Sequence, residues 1–349
     1  MRKIFYAMAV LFGCNTVSIA QTSFIATLQH GGEFTHYYGA GALTTAYNAA
    51  ENGDIITLSP GTFTSPGTIN KGITLRGTGV EATEKTYISG GTTIRSTDST
   101  MVTTVEGIRF NAATNIENNA TGAGQGTIKL IKNKFEGLYA TIAGTYSTDN
   151  GPTVRIYNCI IAESLRFNPN SHPDFLVYNS YVLNPYIDGN GFSETTTTFV
   201  NCLIKWSNTL SEYSYYLNFY NCIFNWTTSY GGGTDSRFLL PITATCNNCL
   251  SINKSTLFNN LVSGSNNWTV GSVTDVFVTY TTAAEGETFE LTDAAKEAYI
   301  GTDGTQIGMQ GGNYPYTTTV QYPIVTKFNA DSQTDKAGML NIEVEVDGN

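Results

Sequence analysis

One short phrase, built around an asparagine, returns six times along the middle of this 349-residue chain. The phrases are IKLIKNKF, TVRIYNCI, DFLVYNSY, TTFVNCLI, YLNFYNCI and ATCNNCLS, which align Asn133, Asn158, Asn179, Asn201, Asn221 and Asn248 at intervals of 25, 21, 22, 20 and 27 residues. A period in this range, with β-branched and aromatic residues in every unit, marks a solenoid in which one coil stacks on the next. A Greek-key sandwich fits less well, because its strands recur at shorter and less regular intervals.

Aligned on the asparagine, two columns are apolar or thiol. Ile131, Ile156, Val177, Phe199, Phe219 and Cys246 stand two residues before it; Phe135, Ile160, Tyr181, Leu203, Ile223 and Leu250 stand two after. Alternate strand residues share a face, so both columns are expected to point into the core, with the asparagine at a bend between two strands. Asparagine tolerates the left-handed backbone of a tight corner, and its amide can bond to the next coil's amide. The expectation is an asparagine ladder on parallel, in-register coils about 4.8 Å apart.

Tyr157, Tyr178 and Tyr220 immediately precede their asparagines and should stand on the outer face of one sheet. Exposed aromatics so placed can stack on sugar rings; equally, flanking tyrosines simply suit strands. Only 13% of residues are charged and the net charge is −10, which excludes a basic nucleic-acid stripe and means that an anionic glycan would need local basic groups or a bridging cation.

Residues 1–20 read as a signal peptide: Arg2 and Lys3, an apolar run from Ile4 to Phe12, and Ser18-Ile19-Ala20 before Gln21. The run is too short to span a membrane. Leu11-Phe12-Gly13-Cys14 approximates a lipid-attachment box, with the bulky Phe12 a poor fit, so simple export to the periplasm, cell surface or medium is the expectation. Export would place Cys159, Cys202, Cys222, Cys246 and Cys249 where disulfides can form. Four of them follow a ladder asparagine, which favours a stack of small buried side chains; Cys246-Asn-Asn-Cys249 leaves a local disulfide open and lacks a second pair for zinc.

Ala42 to Ala50 places Leu43, Ala46, Tyr47 and Ala50 on one helical face, fit to cap the open end of a solenoid. The stretch GDIITLSPGTFTSPGTINKGITLRGTG follows from Gly53. With that helix and the asparagine repeat it resembles the opening of the pectin lyase-like family of right-handed parallel β-helices. Phe289 to Tyr316, with Ile307-Gly308-Met309-Gln310-Gly311-Gly312, resembles the closing coil of secreted β-helix proteins of Bacteroidetes. The expected architecture is all-β: a β-helix over residues 21–322, with an N-terminal capping helix, and a C-terminal hairpin or tail over 323–349 whose two strands flank Thr334 to Gly338.

The resemblance implies a secreted, monomeric protein that binds or degrades a polysaccharide in a groove along one sheet, with β-elimination on an acidic glycan as the leading enzymatic version. Mapped onto this chain, the groove runs past Tyr139, Arg166, Tyr186 and Arg237. A lyase must neutralise the uronate carboxylate and remove the proton at C5, by calcium held on carboxylates or by an Arg or Lys pair, together with a base. The resemblance assigns Arg166 as base or clamp, Arg237 as second clamp, His172 as proton acceptor, and Asp174, Asp188 and Asp149 as calcium ligands; Tyr139 and Tyr186, with Tyr157, Tyr178 and Tyr220, would bind substrate. The signature phrases of polygalacturonases, pectate lyases and pectin methylesterases are absent from the sequence. A non-catalytic glycan-binding or adhesive surface protein is therefore the alternative.

Overall fold

The computed structural model describes residues 24–118, 126–142, 153–167, 174–183, 185–187, 196–206, 216–226, 244–259, 263–280, 286–317, 324–330 and 342–347. The expected signal peptide and Cys14 lie outside them. The chain forms an all-β, right-handed parallel solenoid. Sheet A has twelve strands, and all but the first two run parallel, one per coil, from Ile55–Leu58 to Ser263–Ser265. Sheet B has fourteen strands and bends into two further faces, because long strands such as Lys134–Ile142 pair with two different segments of the preceding coil.

The open N-terminal end is covered as expected. Helix α1 (Ala42–Ala49) buries Ala42, Leu43, Ala46 and Tyr47. The strands Ile25–His30 and Glu33–Tyr38 add an antiparallel hairpin to the first coil, so the raw edge of the parallel stack does not face solvent. At the far end of the chain Ile324–Ala330 and Ile342–Asp347 form the expected antiparallel pair, a separate two-stranded sheet.

The parallel strands of sheet A from Ile55–Leu58 to Thr245–Asn247 alternate strictly. Thr153–Tyr157 buries Val154 and Ile156 and turns Thr153, Arg155 and Tyr157 outward; Asp174–Tyr178 does the same with Phe175 and Val177. Each of these strands ends in a one-residue corner with positive φ: 53° at Asn158, 45° at Asn179, 53° at Asn201, 56° at Asn221 and 52° at Asn248. At the IKLIKNKF phrase the structure corrects the sequence alignment. Ile131 pairs with Tyr157, so the corner residue is Lys132, at φ 50°, and not Asn133. Leu130 rather than Ile131 then completes the inward column. A further corner, Asn266 at φ 55°, had gone unnoticed because its strand, Ser263–Ser265, carries no apolar residue.

Asn133 belongs to the next column, with Cys159, Ser180, Cys202, Cys222, Cys249 and Asn267. Its Oδ1 accepts from Ile108 N (3.0 Å) while its Nδ2 donates to Val105 O (2.8 Å). Asn267 repeats the pattern on Cys249 N (2.9 Å) and Cys246 O (3.0 Å). Between these ends the thiols of Cys159, Cys202, Cys222 and Cys249 each donate to a carbonyl of the preceding coil at 3.3–3.5 Å. Ser180 Oγ accepts from Cys159 N (3.0 Å). Small donors are needed here because every corner leaves a buried carbonyl behind it. All five cysteines among the described residues are free and buried, so the local Cys246–Cys249 disulfide does not form. Burial pushes the Cys159 thiol up to about 12 and the Cys222 thiol well above its usual value, which keeps both protonated and inert.

The second expected inward column is the largest correction. Phe135 does face the interior, stacked on Phe110 at 5.0 Å, but Ile160, Tyr181, Leu203, Ile223 and Leu250 do not. They line the outer flank of sheet B and are buried there by the described parts of the C-terminal segment, residues 273–280 and 286–316, which we call the strap. Phe289, Leu291, Ala295 of helix α2 (Asp293–Ala298), Ile307 and Met309 complete this second core. The segment that resembles a closing coil is therefore a cover laid along the flank. Gly308, at φ 79°, rests on Ile223, and a Cβ there would come within 2.6 Å of its Cδ1.

The corner asparagines hold this strap. Asn248 Nδ2 donates to Ile300 O (2.7 Å), Asn221 Oδ1 accepts from Thr302 N (2.8 Å), Asn179 Nδ2 donates to Met309 O (2.9 Å) and Gly311 O (2.6 Å), and Asn158 Nδ2 reaches Pro315 O (3.3 Å). Among the described residues one amide-to-amide rung remains, Asn221 Nδ2 to Asn201 Oδ1 at 3.3 Å. The expected ladder is thus chiefly a row of clasps for a peptide.

Candidate functional site

Two surfaces carry side chains of the expected kinds. The first is the bent part of sheet B. Its backbone register sets Tyr139 beside Arg166 and Arg166 beside Tyr186 on three consecutive coils. Leu138 and Leu165, their chain neighbours, fill the core, and Tyr139 is half-buried. His172, Arg237, Asp149 and Asp188 lie outside the described residues, as do the side chains of Arg166 and Tyr186.

Asp174 is described, and it is occupied. Arg155 Nη2 meets its Oδ2 at 3.0 Å and Arg155 Nη1 its carbonyl at 3.2 Å, so the carboxylate expected to ligate calcium pairs with the arginine of the preceding coil. Among the described residues no group of three or more His, Cys, Asp or Glu is arranged to hold a metal ion.

The second surface is the outer face of sheet A near its corners. Tyr157 and Tyr178 stack with ring centroids 5.3 Å apart and planes 6° from parallel. Tyr220 does not join them: the register places Val200 between Tyr178 and Tyr220. A third ring comes from the strap, where Tyr314 packs edgewise at 5.2 Å from Tyr157 and 6.0 Å from Tyr178 and stays 53% exposed. Tyr157 and Tyr314 border an open groove of about 710 Å³ whose walls also include Lys129, Lys132, Asn158 and Tyr316.

The electrostatics of this groove oppose the net charge of the chain. Lys129 lies beside Arg155 in register on the outer face. Lys132 lines the groove, but its Nζ has neither solvent contact nor a hydrogen-bond partner, and burial lowers its pKa despite the nearby Glu106. Asn158 Oδ1 is also buried without a partner. Burial raises the Tyr157 hydroxyl, with Tyr178 and Tyr314 adding to the effect. Tyr316 OH donates to Glu81 Oε1 (3.3 Å), and Gly286 N donates to Glu81 Oε2 (3.1 Å), which pins the strap near the groove.

Sequence reasoning found the Tyr157 and Tyr178 pair but missed Lys129, Lys132 and Tyr314. The signal for Lys132 was a lysine in place of a corner asparagine. Nothing local to Tyr314 announces that it meets residues more than a hundred positions earlier. No protein-family model matches this chain, and no curated protein matches it.

Proposed function

We propose that this is an exported protein of the pectin lyase-like type that binds or degrades a polysaccharide on the outer surface of its solenoid, with β-elimination on an acidic glycan as the enzymatic version. The observation that supports this reading is the alignment of Tyr139, Arg166 and Tyr186 on consecutive coils. A solenoid offers the same side-chain position once per coil, and a repeating polymer is the ligand that such a periodic surface suits. In this reading Arg166 neutralises the uronate carboxylate or takes the C5 proton, with His172, Arg237 and a calcium ion on Asp149 and Asp188 as its partners. Asp174 is the expected third ligand of that set, and there it would have to share its carboxylate between the cation and Arg155.

The test is ultraviolet absorbance of unsaturated uronate ends, with the protein incubated on a panel of polyuronates in calcium and then in chelator. A rise that chelator stops, and that Arg166→Ala cuts by about 100-fold, supports the lyase. Binding without any rise supports the second reading, a non-catalytic glycan-binding protein, which the stacked Tyr157 and Tyr178 favour.

A further inference from the structure

We propose that the groove between the outer face of sheet A and the end of the strap is a separate saccharide site, taking a pyranose that carries an anionic group, either a carboxylate or a sulfate ester. The proposal rests on the reading of the protein as a glycan binder and adds a second site away from Tyr139, Arg166 and Tyr186.

Three observations carry it. The first is the aromatic surface: Tyr157, backed by the parallel ring of Tyr178 on the next coil, and Tyr314, tilted against it, form a corner that a sugar can enter with its apolar face against Tyr157 or Tyr314. The second is charge. The chain carries −10 overall, yet Lys129 and Lys132 come from one coil and line this groove, and the carboxylate that neutralises the neighbouring Arg155 belongs to Asp174. The third is unmet bonding. The ammonium of Lys132 lacks an acceptor and Asn158 Oδ1 lacks a donor. A buried ammonium without a hydrogen-bond acceptor is costly, and the four-carbon lysine stem can turn its Nζ into the groove once an anion is there. An anionic sugar supplies both missing partners, its acid group to Lys132 and a hydroxyl to Asn158. A neutral sugar offers Lys132 only an uncharged hydroxyl acceptor.

The strap builds half of this site, since Asn313 to Thr317 form one wall. Asn158 Nδ2 holds Pro315 O while its Oδ1 stays unpaired, so the same corner asparagine clasps the strap with one end and offers the other to a ligand.

The experiment is isothermal titration of the full chain with three tetrasaccharides: a hexuronate, a sulfated hexose and a neutral hexose. We expect the anionic probes to bind at least about tenfold more tightly than the neutral one, and the stronger of the two identifies the acid group. Lys129→Met and Lys132→Met should each weaken the anionic probes by about tenfold and leave the neutral probe unchanged; Tyr157→Ala should weaken all three. Lys129→Met alters an exposed side chain and leaves the fold intact, so it keeps the test valid should Tyr157→Ala unfold the coil. Anionic binding that both lysine variants leave unchanged, or that Tyr139→Ala alone removes, overturns this site and leaves the general reading standing. Failure of every probe to bind the unaltered protein overturns both.

Discussion

The two faces of a single coil strand bury themselves by different means. On Ile160–Phe167 the inner residue Ile161 joins a core that runs through the solenoid, while Ile160 beside it belongs to a second core closed only by the strap. Val182 and Tyr181, Ile204 and Leu203, and Phe224 and Ile223 divide in the same way. Sheet A, whose outer face is uncovered over much of its length, keeps strict alternation, as in TVRIY; the covered flank of sheet B shows unbroken apolar pairs, as in Cys-Ile-Ile and Tyr-Val-Leu. A strand covered on both faces has no reason to alternate, so a broken alternation in a repeat is itself evidence of a cover elsewhere in the chain.

That contrast predicts unequal damage. Phe199 is fully buried inside the solenoid and stacks on Phe219 at 5.1 Å, so Phe199→Ala should cost about 3–5 kcal/mol and shift the urea midpoint of the whole solenoid. Ile223 is equally buried, but under the strap. Ile223→Ala should cost about 2 kcal/mol and show chiefly as faster amide exchange in the strap, beginning at Gly308, whose N–H bonds to Asn221 O at 2.8 Å. Equal midpoint shifts for the two variants, with no exchange confined to the strap, would show the two cores to be one cooperative unit. A finer probe is Asn179→Gly, which keeps the positive-φ corner while deleting both bonds to Met309 O and Gly311 O. The expected cost is about 1–3 kcal/mol, again read as strap exchange with the sheet strands still protected.

The fold was legible because its signals are local and repeated: the period, the inward column before each corner, the capping helix and the terminal strand pair. The strap was not, because its partners lie far away in sequence and the apolar residues it covers were counted into the only core a repeat reveals. Asn133 misled for a related reason. It stands one place beyond Lys132, and a lysine at φ 50° is a corner that composition would not suggest. Its amide does the bridging work that thiols do in later coils, and Asn267 ends the column in the same way. Of the two candidate surfaces, the segments of Tyr139, Arg166 and Tyr186 were reached through the family resemblance, and the register sets them side by side. The groove could be read only by half, since Tyr157 and Tyr178 lie in the repeat while Tyr314 arrives from outside it.

The smallest expected effect separates the strap from the other cover, the N-terminal hairpin. His30 Nδ1 meets both carboxylate oxygens of the buried Asp54, at 2.9 and 3.0 Å, and Asp54 Oδ2 also accepts from Glu51 N at 2.6 Å. The hydrogen bond to Asp54, followed by its charge, raises the His30 pKa above its ordinary 6.5. A group whose pKa is higher in the folded state binds its proton more tightly there, so its stabilisation is complete below pH 6.5 and fades as pH climbs through the raised folded value. Because His30 is well exposed the effect should be slight and local: the amides of Ile25–His30 should lose protection over that window faster than base catalysis alone accounts for, while strap amides should not. His30→Asn should remove the difference between the two covers. If the strap loses protection over the same window, its stability depends on the N-terminal end, and the two covers must be treated as coupled through the coils between them.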